Sequence, residues 1–138
     1  MTMNNLFENY GILSGEMLHL SPKETFDLCK KGAVIVDVRE DFMIGFKKFE
    51  VPLVLYFPLS EMNTNFNKLP TDKYMIFADA AGLRSKEAVI LLNGKGFKNL
   101  ANLAGGIVEW ERDGLPLKVD LKEKLSGQCP CQLTAKRK

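Results

Sequence analysis

The sequence is poor in the residues that build disulfide frameworks and metal sites. Its 138 residues include three cysteines and one histidine. The cysteines, Cys29, Cys129 and Cys131, form an odd and unevenly spaced set, which is not a disulfide framework and fits a reducing compartment. A closed zinc site takes about four ligands, more than any cluster in this chain supplies. We therefore predict no resident metal and no cofactor.

Long hydrophobic runs are also missing. No segment approaches the roughly 18 consecutive apolar residues that a membrane helix needs. The opening residues, MTMNNLFENYGIL, lack the basic residues followed by an apolar stretch that mark a secretory signal. We accordingly expect a cytoplasmic protein without a membrane partner.

Neither sign of charge dominates the chain, whose formal net charge is +2. The excess positive charge lies at the C-terminus, where residues 117–138 contain six basic and two acidic residues. A basic tail can contact nucleic acid or an acidic surface. This tail has no interleaved aromatic residues and no nucleic-acid-binding motif. We interpret it as a solvated tail and predict no nucleic-acid partner.

What the sequence does contain is an alternation of apolar runs and helical patterns. The β-branched run Ala33–Val38 is typical of a strand that is covered on both faces. Ser21-Pro22-Lys23-Glu24 predicts a helix start with a capping box. The alternation predicts an α/β domain with a mostly parallel sheet. The predicted strands are 17–20, 33–38, 53–57, 73–78 and 97–103, and the predicted helices are 22–31, 59–66, 85–93 and 106–110, with short helical stretches from 39 and from 118 to about 125.

The segment Asp79–Ser85 follows a predicted buried strand and runs into a predicted helix. Sites in open α/β sheets form at such carboxyl ends of strands. Small residues around Gly82 let the backbone curl so that N–H groups point inward, and the helix start adds partial positive charge. An ordinary strand-to-helix turn has a similar composition, so the loop alone does not decide between structure and function. The predicted anion-binding residues are Ala80, Ala81, Gly82, Leu83, Arg84, which supplies a forked cation, and Ser85, which can cap the helix or donate its hydroxyl.

Further short motifs stand in a fixed order around this loop. They are Val36-Asp37-Val38-Arg39-Glu40 before it, and Gly94-Lys95-Gly96-Phe97, Leu103-Ala104-Gly105-Gly106-Ile107, Trp110 and Gly114-Leu115-Pro116 after it. In this order the chain resembles the single-domain rhodanese family, from about Leu20 to Pro116. The resemblance implies a rhodanese-like α/β fold, with a central parallel sheet of four or five strands and helices on both faces. We divide the chain into a lead-in without regular structure (1–16), the domain (17–118) and the basic tail (119–138).

The resemblance also implies a chemistry. Members of this family move a sulfane sulfur from thiosulfate to cyanide or a thiol, through a persulfide on a cysteine thiolate that the loop amides stabilise. In the family's loop, four residues separate the cysteine from an arginine. The arginine matches Arg84, and the cysteine position falls on Asp79. A carboxylate forms no persulfide, so we predict that Asp79 accepts hydrogen bonds from the loop amides, pairs with Arg84 and takes the place of a bound anion.

Asp79 acting as a nucleophile itself is a further, weaker possibility. Enzymes that use an aspartate in this way need Mg²⁺ and additional carboxylates nearby. Asp37 and Glu40, at another strand end, are the candidates that the sequence offers.

Two other segments that are expected near the loop can be compared with the family, and one of them departs from its pattern. Where the family has Gly-His-Ile, this chain has Gly45-Phe46-Lys47-Lys48. These residues are expected to rim the pocket or to form a solvated face. Asp37 and Arg39 match the family's second-strand motif, and we expect them to form an ion pair or a hydrogen-bond network that supports the loop.

The remaining candidates are thiols and ring side chains. Cys129-Pro130-Cys131 could relay sulfur, form a strained disulfide, bind a soft metal together with a second chain, or be two thiols in an unstructured tail. Cys29 is interpreted as a small buried hydrophobic residue and Trp110 as a core residue. We assign no functional role to His19, because none of the motifs supplies a partner for it.

Two functional hypotheses follow. The first is a rhodanese-homology domain that is inactive as a thiosulfate sulfurtransferase, because Asp79 replaces the nucleophile, and that binds a partner protein or a small anion. The alternative is a sulfurtransferase, or a sulfur or redox relay, that uses Cys129 or Cys131. In either case we expect a monomer or a weak dimer.

Overall fold

The computed structural model describes residues 5–45 and 47–119, with the backbone alone at Phe42. Phe46, Cys129, Cys131 and the short helix expected up to about Leu125 therefore lie outside the described residues. The strands are β1 (Ile12–Ser14), β2 (Met17–Leu20), β3 (Val34–Asp37), β4 (Lys47–Phe49), β5 (Val54–Tyr56), β6 (Met75–Ala78), β7 (Leu100–Leu103) and β8 (Leu117–Val119). The helices are α1 (Pro22–Lys30), α2 (Asp41–Ile44), α3 (Leu59–Asn65), α4 (Arg84–Gly94) and α5 (Gly106–Arg112), and a 3-10 turn covers Phe66–Lys68.

The central sheet has six strands in the order β1-β2-β7-β6-β3-β5. All neighbours are parallel except β1 and β2, which pair antiparallel. The predicted α/β fold with a mostly parallel sheet is confirmed, but the sheet has one strand more than the four or five expected. The extra strand, β1, lies in the segment predicted to lack regular structure. Leu13 in β1 is 73% exposed, so no pattern of buried residues marks this edge strand in the sequence.

Helices cover both faces of the sheet, as predicted. Successive residues of β3, such as Ile35 and Val36, contribute to two different core clusters because neighbouring side chains of a strand point to opposite faces. One cluster contains residues of α1 and α5, including Trp110, and the other contains residues of α3 and α4, including Met62. Trp110 is fully buried and its indole N–H donates to the Pro116 carbonyl oxygen (2.8 Å), which confirms its core role.

Helix α1 begins as its sequence predicts. The Ser21 hydroxyl accepts a hydrogen bond from the Glu24 N–H (3.1 Å), and the Glu24 carboxylate accepts one from the Ser21 N–H (3.0 Å). This reciprocal capping box satisfies N–H groups that the first turn of a helix leaves without partners.

A second, two-stranded sheet joins β4 to β8 in antiparallel pairing. It brings Phe49 onto Trp110, whose ring lies 5.1 Å away, centroid to centroid. Strand β8 covers residues 117–119, so the short helix predicted from residue 118 does not begin there; pairing with β4 holds residues 118 and 119 extended. Within the part of the chain that the structure describes, no helix has the length and apolar character needed to span a membrane.

Candidate functional site

The loop between β6 and α4 lies in the middle of the sheet's carboxyl edge. Strand β6 is fully buried, and its neighbours β3 and β7 end on either side of the loop. Helix α4 begins at Arg84, one residue earlier than predicted. The loop is therefore formed by residues 79–83, flanked by the chain that leaves β3 and by the Gly105-Gly106 turn that leaves β7.

The Asp79 side chain points into this loop. It is 4% exposed, and its carboxylate accepts hydrogen bonds from the Arg84 N–H (2.7 Å) and from the Gly82 N–H. Leu83, the residue before the helix, supplies no side-chain cap. Asp79 thus caps α4 from five residues upstream of the first helical position, and its negative charge lies at the positive end of the helix dipole.

The backbone of the same loop caps a second helix. The Asp79 carbonyl oxygen accepts a hydrogen bond from the Ile107 N–H (2.9 Å), and the Ala80 carbonyl oxygen accepts one from the Val108 N–H (3.1 Å). Gly105, at the start of α5, has no side chain that could do this. One loop therefore provides acceptors to the amino-terminal turns of both α4 and α5, which ties the two helices together.

Two glycines make this close packing possible. Gly106 has φ +60°, and a Cβ at this position would lie 2.4 Å from the Asp79 carbonyl oxygen and 2.5 Å from that of Ala80. Gly82 has φ +93°, and a Cβ there would lie 2.8 Å from the Gly105 nitrogen. Both the left-handed backbone and the short contacts exclude larger residues. The glycines of the loop and of the turn after β7 thus fit against each other.

Arg84 does not form the predicted ion pair with Asp79. Its backbone N–H bonds the Asp79 carboxylate, while its side chain is exposed. Within residues 5–45 and 47–119, the salt bridges include none from Arg84. The physical reason is that the carboxylate is already held by amides at the helix start, where the side chain of the first helical residue points to solvent.

Ser85 does not cap the helix, because it is the second residue of α4. It is fully buried, and its hydroxyl donates to the Asn102 side-chain oxygen. The Asn102 amide nitrogen lies 3.3 Å from His19 Nδ1. Ser85, Asn102 and His19 thus form a polar chain across α4, β7 and β2, beside the loop. Asn102 was not among the predicted site residues, although a lone amide within an otherwise apolar strand indicates a buried hydrogen bond.

Asp37 and Arg39 form a buried ion pair next to the loop. The guanidinium donates to the carboxylate through Nη2 (2.7 Å) and Nε (3.0 Å), and Asp37 and Arg39 are 0% and 3% exposed. Asp37 is in register with Ala78, the last residue of β6. Arg39 also donates to the Lys47 carbonyl oxygen (3.0 Å). The pair therefore fixes the end of β3 against the start of β4, in line with the structural role expected for it.

The Asp37–Arg39 pair also influences the pKa of Tyr56 on the neighbouring strand. Tyr56 is in register with Asp37. Burial first, and then the Asp37 carboxylate, raise the pKa of the Tyr56 hydroxyl, while Arg39 opposes the shift. Tyr56 therefore remains a neutral hydrogen-bonding group at this edge of the sheet.

The lysines that were expected to rim the loop lie in β4. The Lys47 ammonium contacts both carboxylate oxygens of Glu111 on α5 (2.8 and 2.9 Å), and Lys48 is paired across from Lys118 in the small sheet. Phe46 lies outside the described residues. Lys47 therefore links the small sheet to α5 through an ion pair.

Cys29 is the one cysteine within the described residues, and it is buried in the core at 2% exposure. Burial raises the pKa of its thiol to about 12, so it carries no thiolate near neutral pH. This agrees with the predicted packing role. Within residues 5–45 and 47–119, no three Cys, His, Asp or Glu side chains come together as a metal site, so Asp37, Glu40 and Asp79 do not converge as a Mg²⁺ site would require.

Comparison with known proteins agrees with this architecture. The family described as "Rhodanese-like domain" matches residues 21–113. The chain is 34% identical over 108 residues to "Rhodanese-like domain-containing protein 17" of Arabidopsis thaliana, an alignment that covers 70% of this chain and 69% of that protein. It is 30% identical over 84 residues to a "Sulfurtransferase" of Allochromatium vinosum, covering 61% of this chain and 77% of that protein.

A solved structure shows the same fold. The rhodanese-related protein of Thermoplasma volcanium superimposes with a TM-score of 0.65 at 27% sequence identity, over 74% of this chain and 98% of that one. The family match covers well over half of the chain, and it includes strands β3, β5, β6 and β7 of the central sheet, the Asp79 loop and the Gly105-Gly106 turn. The chain therefore belongs to the rhodanese-like domain family.

Proposed function

We propose that this chain is a rhodanese-homology module in which Asp79 stands at the position of the family's catalytic cysteine and occupies the anion cradle itself. The observation that carries the proposal is the hydrogen bonding of the Asp79 carboxylate to the Gly82 and Arg84 N–H groups. A persulfide or an incoming oxyanion would need the same kind of donor. The side chain thus acts as a tethered substitute for a bound anion, and the module serves to bind a partner or a small anion nearby.

The chemistry of the carboxylate supports an inactive loop. In thiosulfate sulfur transfer, a thiolate attacks the sulfane sulfur, sulfite leaves, and cyanide then removes the sulfur as thiocyanate and regenerates the thiolate. A carboxylate forms no stable bond of this kind to sulfur. Its negative charge also repels thiosulfate, and its hydrogen bonds use amides that would stabilise the persulfide.

The test is a thiosulfate:cyanide sulfur-transfer assay on the native chain and on Asp79→Cys, with Asp79→Ser as the control of similar size without a thiol. We expect no turnover above background for the native chain and the serine variant. Turnover by Asp79→Cys would show that the cradle is intact and that one side chain accounts for the loss. Strong turnover by the native chain would overturn the proposal.

If Asp79→Cys is also inactive, persulfide formation at the loop has to be measured separately from turnover. Covalent sulfur on the introduced cysteine, measured by mass spectrometry after thiosulfate treatment, distinguishes a cradle that forms the persulfide but releases it slowly from one that never forms it. The first result supports an intact cradle. The second contradicts the claim that Asp79 fills a competent anion site.

A second candidate function is favoured by the state of Cys29. Since this thiol is buried and its pKa is raised to about 12, sulfur handling by a cysteine of this chain would fall to Cys129 or Cys131. The relatives that are named sulfurtransferases make this alternative chemically reasonable. Cyanide-releasable sulfur on Cys129 or Cys131 after thiosulfate treatment would establish it, and a Cys129→Ser, Cys131→Ser double variant that retains the label would refute it.

The state of Cys29 is also relevant to the cellular compartment. Cys29 is a free thiol, and a buried free thiol is compatible with a reducing environment. A cytoplasmic module is therefore part of the proposal. Measuring the distribution of the tagged chain between cell fractions tests this directly.

A further inference from the structure

Exposed residues of the Asp79 loop, of the start of α4 and of α5 form a surface that combines apolar side chains with one cation. Leu83 is 68% exposed and Val108 is 48% exposed, and the short side chains of Ala80 and Ala81 are exposed between strand and helix. Arg84 completes the set. We call these residues, Ala80, Ala81, Leu83, Arg84 and Val108, the loop-face patch.

The two halves of the loop-face patch are held in one rigid unit. The Val108 N–H donates to the Ala80 carbonyl oxygen (3.1 Å), and the Ile107 N–H donates to that of Asp79 (2.9 Å). Gly106 allows an approach in which a Cβ would meet both carbonyl oxygens within 2.5 Å. The patch is therefore preorganised, which lowers the conformational cost of binding a partner.

The charge on the patch is positive and not neutralised within the loop. The Asp79 carboxylate is turned inward onto backbone amides. Glu109, on α5, is paired with Arg112 (2.7 Å). Glu87 lies one turn further along α4 and is exposed, and the salt bridges of the described residues do not include one between Glu87 and Arg84. The Arg84 guanidinium is thus available to an external carboxylate.

We infer that the loop-face patch binds a polypeptide segment of a partner protein that presents a carboxylate beside an aliphatic side chain. The carboxylate pairs with Arg84, and the aliphatic side chain covers Leu83 and Val108. This inference rests on the proposed function, because an inward Asp79 is what leaves Arg84 free. It names the kind of partner that the site takes.

Two features favour a peptide over a free oxyanion or a nucleic acid. A sulfate-sized anion would use Arg84 but leave the exposed Leu83 and Val108 side chains uncovered. A polyphosphate backbone calls for several cations along its length, whereas the patch contributes a single arginine. A segment with one acidic and one aliphatic residue matches both the charge and the apolar surface.

The test begins with a phage-displayed library of short random linear peptides, selected against the full chain. We expect the enriched peptides to share Asp or Glu next to Leu, Ile or Val. Backbone amide shifts on adding a synthesised selected peptide should centre on Gly82, Leu83 and Val108 in nuclear magnetic resonance spectra. Peptides that lack a carboxylate, or shifts centred on another surface, would overturn the inference, as would a failure to enrich any peptide over a chain carrying both Arg84→Gln and Leu83→Ser.

Matched variants then separate the patch from general surface effects. Arg84→Gln and Leu83→Ser should each weaken binding of the synthesised peptide by about tenfold, the scale of a well-placed interface residue. Lys98→Gln removes an exposed cation at the opposite edge of the sheet, and Leu13→Ser removes a similarly exposed leucine on β1. These controls should leave the affinity unchanged, and equal losses in all four variants would contradict the inference.

Two further measurements identify how the inference fails, if it does. Full displacement of the peptide by sodium sulfate at matched ionic strength would indicate a small-oxyanion site and would overturn the peptide assignment. The sulfur-transfer assay remains independent of both results. Native turnover refutes the proposed function, whereas an inactive chain that binds no acidic peptide refutes this inference alone.

Discussion

The Asp79 carboxylate accepts a hydrogen bond from the Arg84 N–H at 2.7 Å, across a loop whose carbonyl groups cap a different helix. The interaction joins the end of β6 to the start of α4. It uses the backbone of Arg84 and leaves its guanidinium free for other contacts. Side chain and main chain of one residue, Asp79, therefore hold the amino ends of two helices in place.

The first prediction concerns the cap that Asp79 provides. Asp79→Ala removes acceptors from the Gly82 and Arg84 N–H groups and should lower the free energy of unfolding by about 1–2 kcal/mol, the usual cost of losing a charged helix cap. Urea denaturation, monitored by circular dichroism, measures this change in the free energy of unfolding. Asp72→Ala, in an exposed turn, is the matched control and should have little effect. Equal stability of the native chain and Asp79→Ala would show that the carboxylate does not hold the loop.

The second prediction isolates the contact between the loop and the turn after β7. Gly106→Ala adds a Cβ at φ +60° within 2.4 Å of the Asp79 carbonyl oxygen. Gly15→Ala has nearly the same backbone, φ +59°, but open space around the new Cβ. Both variants carry a left-handed strain of about 1–2 kcal/mol, and Gly106→Ala should lose about 1–3 kcal/mol more through overpacking. Thermal unfolding compares them, and equal losses would argue against tight packing at Gly106.

The third prediction concerns the buried pair of Asp37 and Arg39. Asp37→Asn leaves the Arg39 guanidinium buried without its counter-charge and should destabilise the fold by about 3–5 kcal/mol. Adding Arg39→Met to that variant should recover part of the loss, because the unpaired charge is removed. Breaking the exposed Lys47 pair with Glu111→Gln should cost no more than about 1 kcal/mol.

Chemical denaturation of the native chain, Asp37→Asn, the Arg39→Met single variant and the double variant forms a double-mutant cycle for the buried pair. If the double variant were no more stable than Asp37→Asn alone, the loss would arise from geometry at the end of β3 and not from an uncompensated charge.

The fourth prediction follows from the buried thiol of Cys29. Burial raises its pKa from the ordinary value of 9.0 to about 12, so the unfolded chain loses this proton at lower pH than the folded chain. Stability from this group is therefore fully present below pH 9 and falls as the pH rises toward 12. Cys29→Ala should abolish this part of the alkaline loss, as measured by urea midpoints at several pH values. Rapid alkylation of Cys29 in the native chain near neutral pH would contradict the assignment.

Local patterns in the sequence accounted for the elements with strong periodicity. The apolar run of β3, the capping box of α1 and the loop after β6 are formed by residues close together in the chain, so their physical signals are local. Strand β1 escaped prediction because an exposed edge strand buries no regular set of side chains. Asn102 escaped because its partners, Ser85 and His19, lie on other elements.

The sequence by itself determined the α/β alternation, the place of the Asp79 loop at a strand end and the absence of a thiol there. These follow from residue identity and from neighbours along the chain. The tertiary structure decided what the loop does with its groups. Packing of β7 beside β6 brings the Ile107 and Val108 N–H groups to the loop carbonyl oxygens, and it places Asn102 where the Ser85 hydroxyl donates to it. Such contacts join residues distant in sequence, so only the packed sheet and helices could fix them.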